Sequence, residues 1–255
     1  MAAQTLPFYE RVEEALHNPM LQTALERTTE RFVGNRRGAL EALNDADALR
    51  DQARAIRAKV LSRLDELLSK LAENVERRGG HVCWAADGAA ARQYILDLAK
   101  ARNVKLIVKS KSMASEEIHL NQALEAAGLE VAETDLGEYI IQLAGETPSH
   151  IIAPAVHKTR EQVAELFTKH LGMPPTDDIQ TMVHLAREVL RQRFLRADMG
   201  ISGVNFGIAE SGAVTLVTNE GNGRLTTTAP RIHVAVMGIE RVVENLDDLG
   251  VLLQV

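Results

Sequence analysis

Cysteine is nearly absent: Cys83 is the only one in 255 residues. A lone thiol closes no intramolecular disulfide and builds no all-cysteine metal site, and in its apolar segment it reads as a small buried hydrophobe. The eight histidines show none of the compact spacings of a metal centre, such as two on one helical turn beside an acid. His150, His157 and His233 fall in or near apolar stretches and read as hydrogen-bonded core or rim residues. Aromatics make up 4% of the chain, which leaves little surface for stacking ligands. No apolar run approaches the roughly 20 residues of a spanning helix. The N-terminus also lacks a basic stretch followed by an apolar segment and a small-residue cleavage site, so a cytoplasmic protein is expected.

The charge balance excludes a further class. Residues 1–79 carry 13 basic and 13 acidic side chains, so the net charge of -6 belongs to the remainder. Nucleic acid is not an expected partner, because phosphate binding needs a basic patch that outweighs such a surplus. A small anion held by a few local cations fits.

Two textures divide the chain, predicting an N-terminal helical arm over 1–78 and an α/β domain over 79–255. Leu49, Ala53, Ile56, Val60, Leu64, Leu67, Leu71 and Val75 recur at steps of three or four, which predicts one long amphipathic helix across 45–77. Leu21, Leu25, Phe32, Leu40 and Leu43 predict another upstream, with an interruption at Gly34-Asn35. The pair must bury its stripe on the main domain or on another subunit. After Gly80, strands are predicted at His81–Ala85, Val104–Val108, Leu129–Ala132 and His150–Ala153, with a helix over Ala89–Ala101 and another running to Gly128. This rhythm argues for an α/β fold with a mixed, mostly parallel sheet and helices on both faces. Thr159 with Gln162 forms a capping box for a helix ending at Gly172, and Thr176-Asp177-Asp178 opens the next. A hairpin turning at Ser211-Gly212 and a strand at Ile232–Val236 are expected to extend the sheet, with some antiparallel pairing.

Three segments carry candidate chemistry. Lys109, Ser110, Lys111 and Ser112 stand where a parallel strand hands over to a helix, the usual ligand crevice of an open α/β sheet, so Lys109, Lys111 and Ser112 are candidate anion binders. The competing reading is a serine N-cap with solvated lysines. No Gly-rich loop accompanies them, which argues against a P-loop nucleotide site. Asp135, Glu138 and Tyr139 follow another strand end on the same rim, where Asp135 serves equally as a helix cap. Glu210, at the hairpin tip with Ser211 and Gly212, is the candidate acid/base or nucleophile; a turn glutamate serving hairpin geometry is the alternative. Glu220, Asn222 and Arg224 form a glycine-spaced polar loop in which Arg224 offers two-pronged binding to a carboxylate, or a plain surface loop. If the rim is arranged as the topology suggests, Lys109, Glu210 and Arg224 converge on one site.

The segments 109–117, 133–139, 148–157 and 201–224, in that order, resemble the N-terminal part of the iron-sulfur subunit of the bacterial lactate-utilisation complex. The resemblance runs from about Val60 to Val255. It implies a fold related to sugar-phosphate isomerases and CoA transferases, and a role with other subunits in oxidising L-lactate to pyruvate. The related CoA transferases use a glutamate nucleophile, which makes a stand-alone enzyme built on Glu210, of the CoA-transferase or sugar-phosphate-isomerase type, the alternative. The family's 4Fe-4S clusters sit in Cys-rich motifs C-terminal to the matched region, so no cofactor is expected in this chain. Its apolar ending, Leu249–Val255, has the character expected of a fragment. The helical arm offers a surface for those subunits or for a second copy.

Overall fold

The computed structural model describes residues 7–146, 148, 153–218 and 220–255. Two helices lead, α1 (Phe8–Leu16) and α2 (Pro19–Glu41). Asn18 caps α2 by accepting the Leu21 N-H at 3.1 Å, with Pro19 at the first helical position where its missing N-H costs nothing. The break expected at Gly34-Asn35 does not occur. A glycine inside a helix costs only about 1 kcal/mol, too little to end a capped helix of 23 residues.

The single helix expected over 45–77 is two, α3 (Ala46–Ser62) and α4 (Leu64–Arg77), divided where Arg63 leaves helical geometry at φ -130° and ψ 30°. The Arg63 guanidinium donates to Glu66 at 2.6 Å and to Glu244 at 3.1 Å, and Lys59 reaches the same Glu244 at 2.5 Å. These two cations hold the Glu244 carboxyl below the usual carboxylate range. With the bend, Ile56 and Val60 of α3 and Leu67, Leu68 and Leu71 of α4 all pack on Ala209 and Val242. This part of the predicted stripe therefore buries against the α/β body.

Then follow α5 (Gly88–Ala101), β1 (Leu106–Lys109), α6 (Met113–Glu117), α7 (Leu120–Ala126), β2 (Glu130–Glu133) and α8 (Leu136–Ala144). The strand expected at His81–Ala85 belongs to neither sheet, and Cys83 and Trp84 in it are exposed. Its apolar letters found no neighbouring backbone to pair with. The helix expected to run to Gly128 is broken at His119, whose φ of 51° no helix accepts. The segment 149–152, with most of the strand expected at His150–Ala153, lies outside the described residues; Ala153 itself is not in a strand.

The capping box forms as expected and opens α9 (Arg160–Leu171), which ends at Gly172 with φ 69°. Next come α10 (Ile179–Arg196), β3 (Met199–Gly203), β4 (Phe206–Ile208), β5 (Ala213–Thr215), α11 (Asn222–Thr228), β6 (Ile232–Val236), β7 (Val242–Val243) and α12 (Leu246–Leu252). By packing, the chain forms two compact units, Met1–Asn44 with Ile140–Ile179, and Asp45–Tyr139 with Gln180–Val255.

Both sheets belong to the second unit. The larger has the order β2-β1-β3-β6 and every pair in it is parallel. Ile107, Val131, Met199 and Ile201 cover one face and pack on Ile95 and Ala99 of α5 and Leu120 and Leu124 of α7. The hairpin does not extend this sheet: β4 pairs with β7 instead, with Gly207 beside Val242 and Ile208 beside Val243. After Asn205 the chain starts a second sheet, β5-β4-β7, in which β4 and β5 are antiparallel and β4 and β7 parallel. Gly212 closes the hairpin at φ 73°.

On the other face of the larger sheet α11 lies close to β3. A methyl group on Gly200 would run into the carbonyl oxygen of Thr226, a backbone atom with no room to retreat. Gly200→Ala is expected to destabilise the protein by about 1–3 kcal/mol or more, the range for forced overpacking. Urea unfolding followed by circular dichroism reads the effect, and an unchanged midpoint would refute the close approach.

Candidate functional site

The parallel register sets Lys109 beside Glu133 on β2 and Ile201 on β3, so the last residues of these strands share a face. Lys109 is only 1% exposed. Its Nζ donates to Glu133 Oε1 at 2.7 Å, and Asn121 Nδ2 of α7 donates to the same oxygen at 2.6 Å. The Lys109 carbonyl in turn accepts the N-H and the hydroxyl of Thr134, at 3.0 and 2.7 Å. Side chain and backbone together lock the β1 and β2 ends.

Glu138 joins this cluster from the first turn of α8. Asp135 caps that helix, its Oδ1 accepting the Glu138 N-H at 3.2 Å. The Glu138 carboxyl is buried, and the charges of Glu133, Glu116 and Lys109 act on it. Burial first, then the charges of Glu133 and Glu116, push its pKa up to about 9, against a smaller opposing pull from Lys109. The folded chain therefore holds a proton that the unfolded chain has lost above about pH 4.3. This weighs increasingly against the folded state as pH rises towards about 9, and not at all below the unfolded value.

Lys111, Asp135 and Glu220 lie near one another: burial and then the Asp135 charge raise the Glu220 pKa, and Lys111 opposes them. Ser112 is buried against the end of β3, where a side chain on Gly203 would meet its Oγ at 2.8 Å. That Oγ accepts the Ser115 N-H at 3.2 Å, so Ser112 is the N-cap of α6. Asn222 and Arg224 lie in the first turn of α11 instead of a loop, because Thr218 organises the entry: its hydroxyl donates to the Glu220 carbonyl at 2.9 Å and to Asn222 Oδ1 at 3.3 Å. Arg224 is exposed.

Glu210, Ser211 and Gly212 occupy the turn between β4 and β5. Glu210 is exposed, its N-H donates to the Glu244 carbonyl at 3.0 Å, and its own carbonyl accepts from Asn74 Nδ2 at 3.2 Å. Ser211 Oγ accepts the Ala213 N-H at 3.2 Å. These contacts tie the turn to α4 and to the segment after β7, whereas the Lys109 side chain is tied to β2.

Sequence reasoning passed over Glu133 as the partner of Lys109, Asn121 as a second donor to Glu133, and the contact of Ser202 Oγ with His233 Nε2 at 2.9 Å. A signal for the first existed: two apolar strands, Leu106–Lys109 and Glu130–Glu133, end in opposite charges. Cys83, expected to be buried, is exposed. His157 meets Glu146 at 2.8 Å, while His150 is outside the described residues.

The family model described as the LUD domain matches residues 68–255. The chain is 48% identical over 254 residues to Lactate utilization protein B of Bacillus licheniformis, covering 99% of this chain and 53% of that one. It is 46% identical to the protein of that name from Bacillus subtilis, over the same shares. The one from Lysinibacillus sphaericus is 47% identical over 247 residues, 96% of this chain and 52% of its own. The chain thus spans about half the length of the curated relatives it matches. No solved structure gives a significant match.

Removing the Lys109 ammonium leaves Glu133 charged in a buried place. Lys109→Met is expected to cost about 3–5 kcal/mol, and Lys109→Met with Glu133→Leu much less, because the second change removes the stranded charge. Denaturant unfolding of both variants tests this; equal losses would deny that the pair acts as a unit.

Proposed function

Because the chain belongs to the LUD domain family, we propose that it works as one half of a lactate-utilisation subunit, within a multi-subunit complex that oxidises L-lactate to pyruvate. The observation that carries this reading is the identity of 46–48% to proteins named for lactate utilisation, sustained over 99% of the chain. The oxidation releases two electrons and two protons, and the electrons need a carrier. The 4Fe-4S clusters of the complex belong in this reading to the part of the subunit outside the matched half, since thiolate ligands are required and this chain has one cysteine. Among the described residues no group of His, Cys, Asp and Glu is arranged to hold a metal ion.

What is left to this half is to hold the small acid and to dock. A carboxylate ligand would seat at the strand-end rim, with Lys111 and Arg224 supplying positive charge and Glu220 and Asp135 facing its hydroxyl side. Docking falls to the N-terminal helices: α2 buries none of its residues, and α1 leaves Phe8 and Leu16 both 64% exposed. Such a surface suits another subunit or a second copy. No helix among the described residues is long and apolar enough to cross a membrane.

A chimera tests the reading. In Bacillus subtilis lacking its Lactate utilization protein B, the protein is supplied with its matching half replaced by this chain. Growth on L-lactate as sole carbon source is the expected result. A chimera that accumulates as folded protein yet gives no growth contradicts it.

A further inference from the structure

β6 is the last strand of the larger sheet, and among the described residues it pairs with β3 alone. Alternate N-H and C=O groups of an edge strand point away from its single neighbour, so part of the β6 backbone presents donors and acceptors with no ladder to receive them. Edges are usually blunted by charge, by proline or by a bulge. Ile232-His233-Val234-Ala235-Val236 contains no Lys, Arg, Asp, Glu or Pro, and it runs in unbroken register with Met199–Gly203. By contrast β2, at the opposite end of the sheet, carries Glu130 and Glu133 at its two ends.

The strand is also complementary to itself. Ile232, Val234 and Val236 share the face that packs on the Ile95, Ala99 and Ile201 core, whereas His233 and Ala235 on the other face are exposed. Turned antiparallel against its own copy, with a two-fold axis at Val234, it sets Ile232 beside Val236 of the second copy, Val234 beside its counterpart and His233 beside Ala235. The apolar row then continues across the axis, and no like charges meet. Exposed apolar residues lie on the elements that flank this strand: Leu225 on α11, which packs on β3 and β6, and Ile239 just after β6.

We infer that the outer edge of β6 is the docking site for a second copy of this chain, with antiparallel β6–β6 pairing that joins two four-stranded sheets into one of eight strands. A row of unpaired backbone groups is met by another extended strand. A copy of β6 suits it because the two-fold contact uses up the edge of both chains and leaves none to propagate. This goes beyond the lactate-utilisation reading and does not depend on it.

Sedimentation velocity of the full chain over a concentration series tests the contact, and the wild type is expected to form a dimer. His233→Lys with Ala235→Lys sets lysine against lysine at both symmetric positions, and should give a monomer with an unchanged circular dichroism spectrum. His233→Glu with Ala235→Lys sets opposite charges at the same positions and should keep the dimer. Both variants lose the same Ser202 contact, so only the sign of the charge separates them. In the wild type, amide exchange within 232–236 should slow about tenfold or more as the dimer forms. A wild type that stays monomeric, which would leave the edge to a strand of another protein, overturns the inference. So does a dimer that survives both lysines, since its contact then lies elsewhere, as on the N-terminal helices. A Glu–Lys variant that stays monomeric overturns the register about Val234. Should the lysine variant not fold, unchanged exchange within 232–236 between wild-type monomer and dimer overturns the inference by itself.

Discussion

An ammonium group 1% exposed at the end of an interior strand is tolerable only with a carboxylate in contact, since an isolated charge there would cost several kcal/mol. Lys109 finds that carboxylate on β2 because the two strands are parallel and end in register. The pairing also selects its register: a slip of one residue would take Glu133 off the face that Lys109 shares and place an apolar neighbour against the ammonium. Thr134, accepted twice by the Lys109 carbonyl, and Ser110, whose N-H donates to Ile201 at 3.0 Å, continue the same lock across three strands. The strand-end rim on which Asp135, Lys111, Ser112 and Glu220 are displayed rests on it.

The second sheet answers a different constraint. The hairpin pairs with β7 in a sheet of its own, whose apolar side needs a cover. The bend at Arg63 supplies one by turning α3 and α4 onto β7 and Ala209, and Glu244 anchors the bend from the sheet side through Lys59 and Arg63. Asn74 of α4 then fastens the hairpin tip through the Ala209 and Glu210 carbonyls, at 2.7 and 3.2 Å. Electrostatics decides both halves of this body: one buried pair at the rim and one surface cluster at the bend.

Local signals were legible where local physics decides. The capping box at Thr159, the glycine stop at Gly172, the Ser211-Gly212 turn and the apolar strand before Lys109 all appear as read. Signals failed where a distant partner decides. His81–Ala85 has strand-like letters but no neighbour, and the stripe over 45–77 is continuous in sequence but interrupted by ion pairs to Glu244, 181 residues beyond Arg63. The Gly-rich stretch after Glu220 reads as a loop, yet Thr218 converts its start into α11. At the rim, the sequence displays Lys109 and Glu138 as polar residues beyond strand ends. That both are buried, Lys109 in contact with Glu133, depends on strand order, which no single segment encodes.

Amide hydrogen exchange in Glu133→Gln, read residue by residue against the wild type, bears most directly on the role given to the Lys109–Glu133 pair. With the counter-charge gone, the N-H groups of Ser110 and Thr134 should exchange at least about tenfold faster, while those of Asn205 and Ala209 in the second sheet keep their rates. Unchanged protection at Ser110 and Thr134 would contradict the claim that this ion pair holds the rim together.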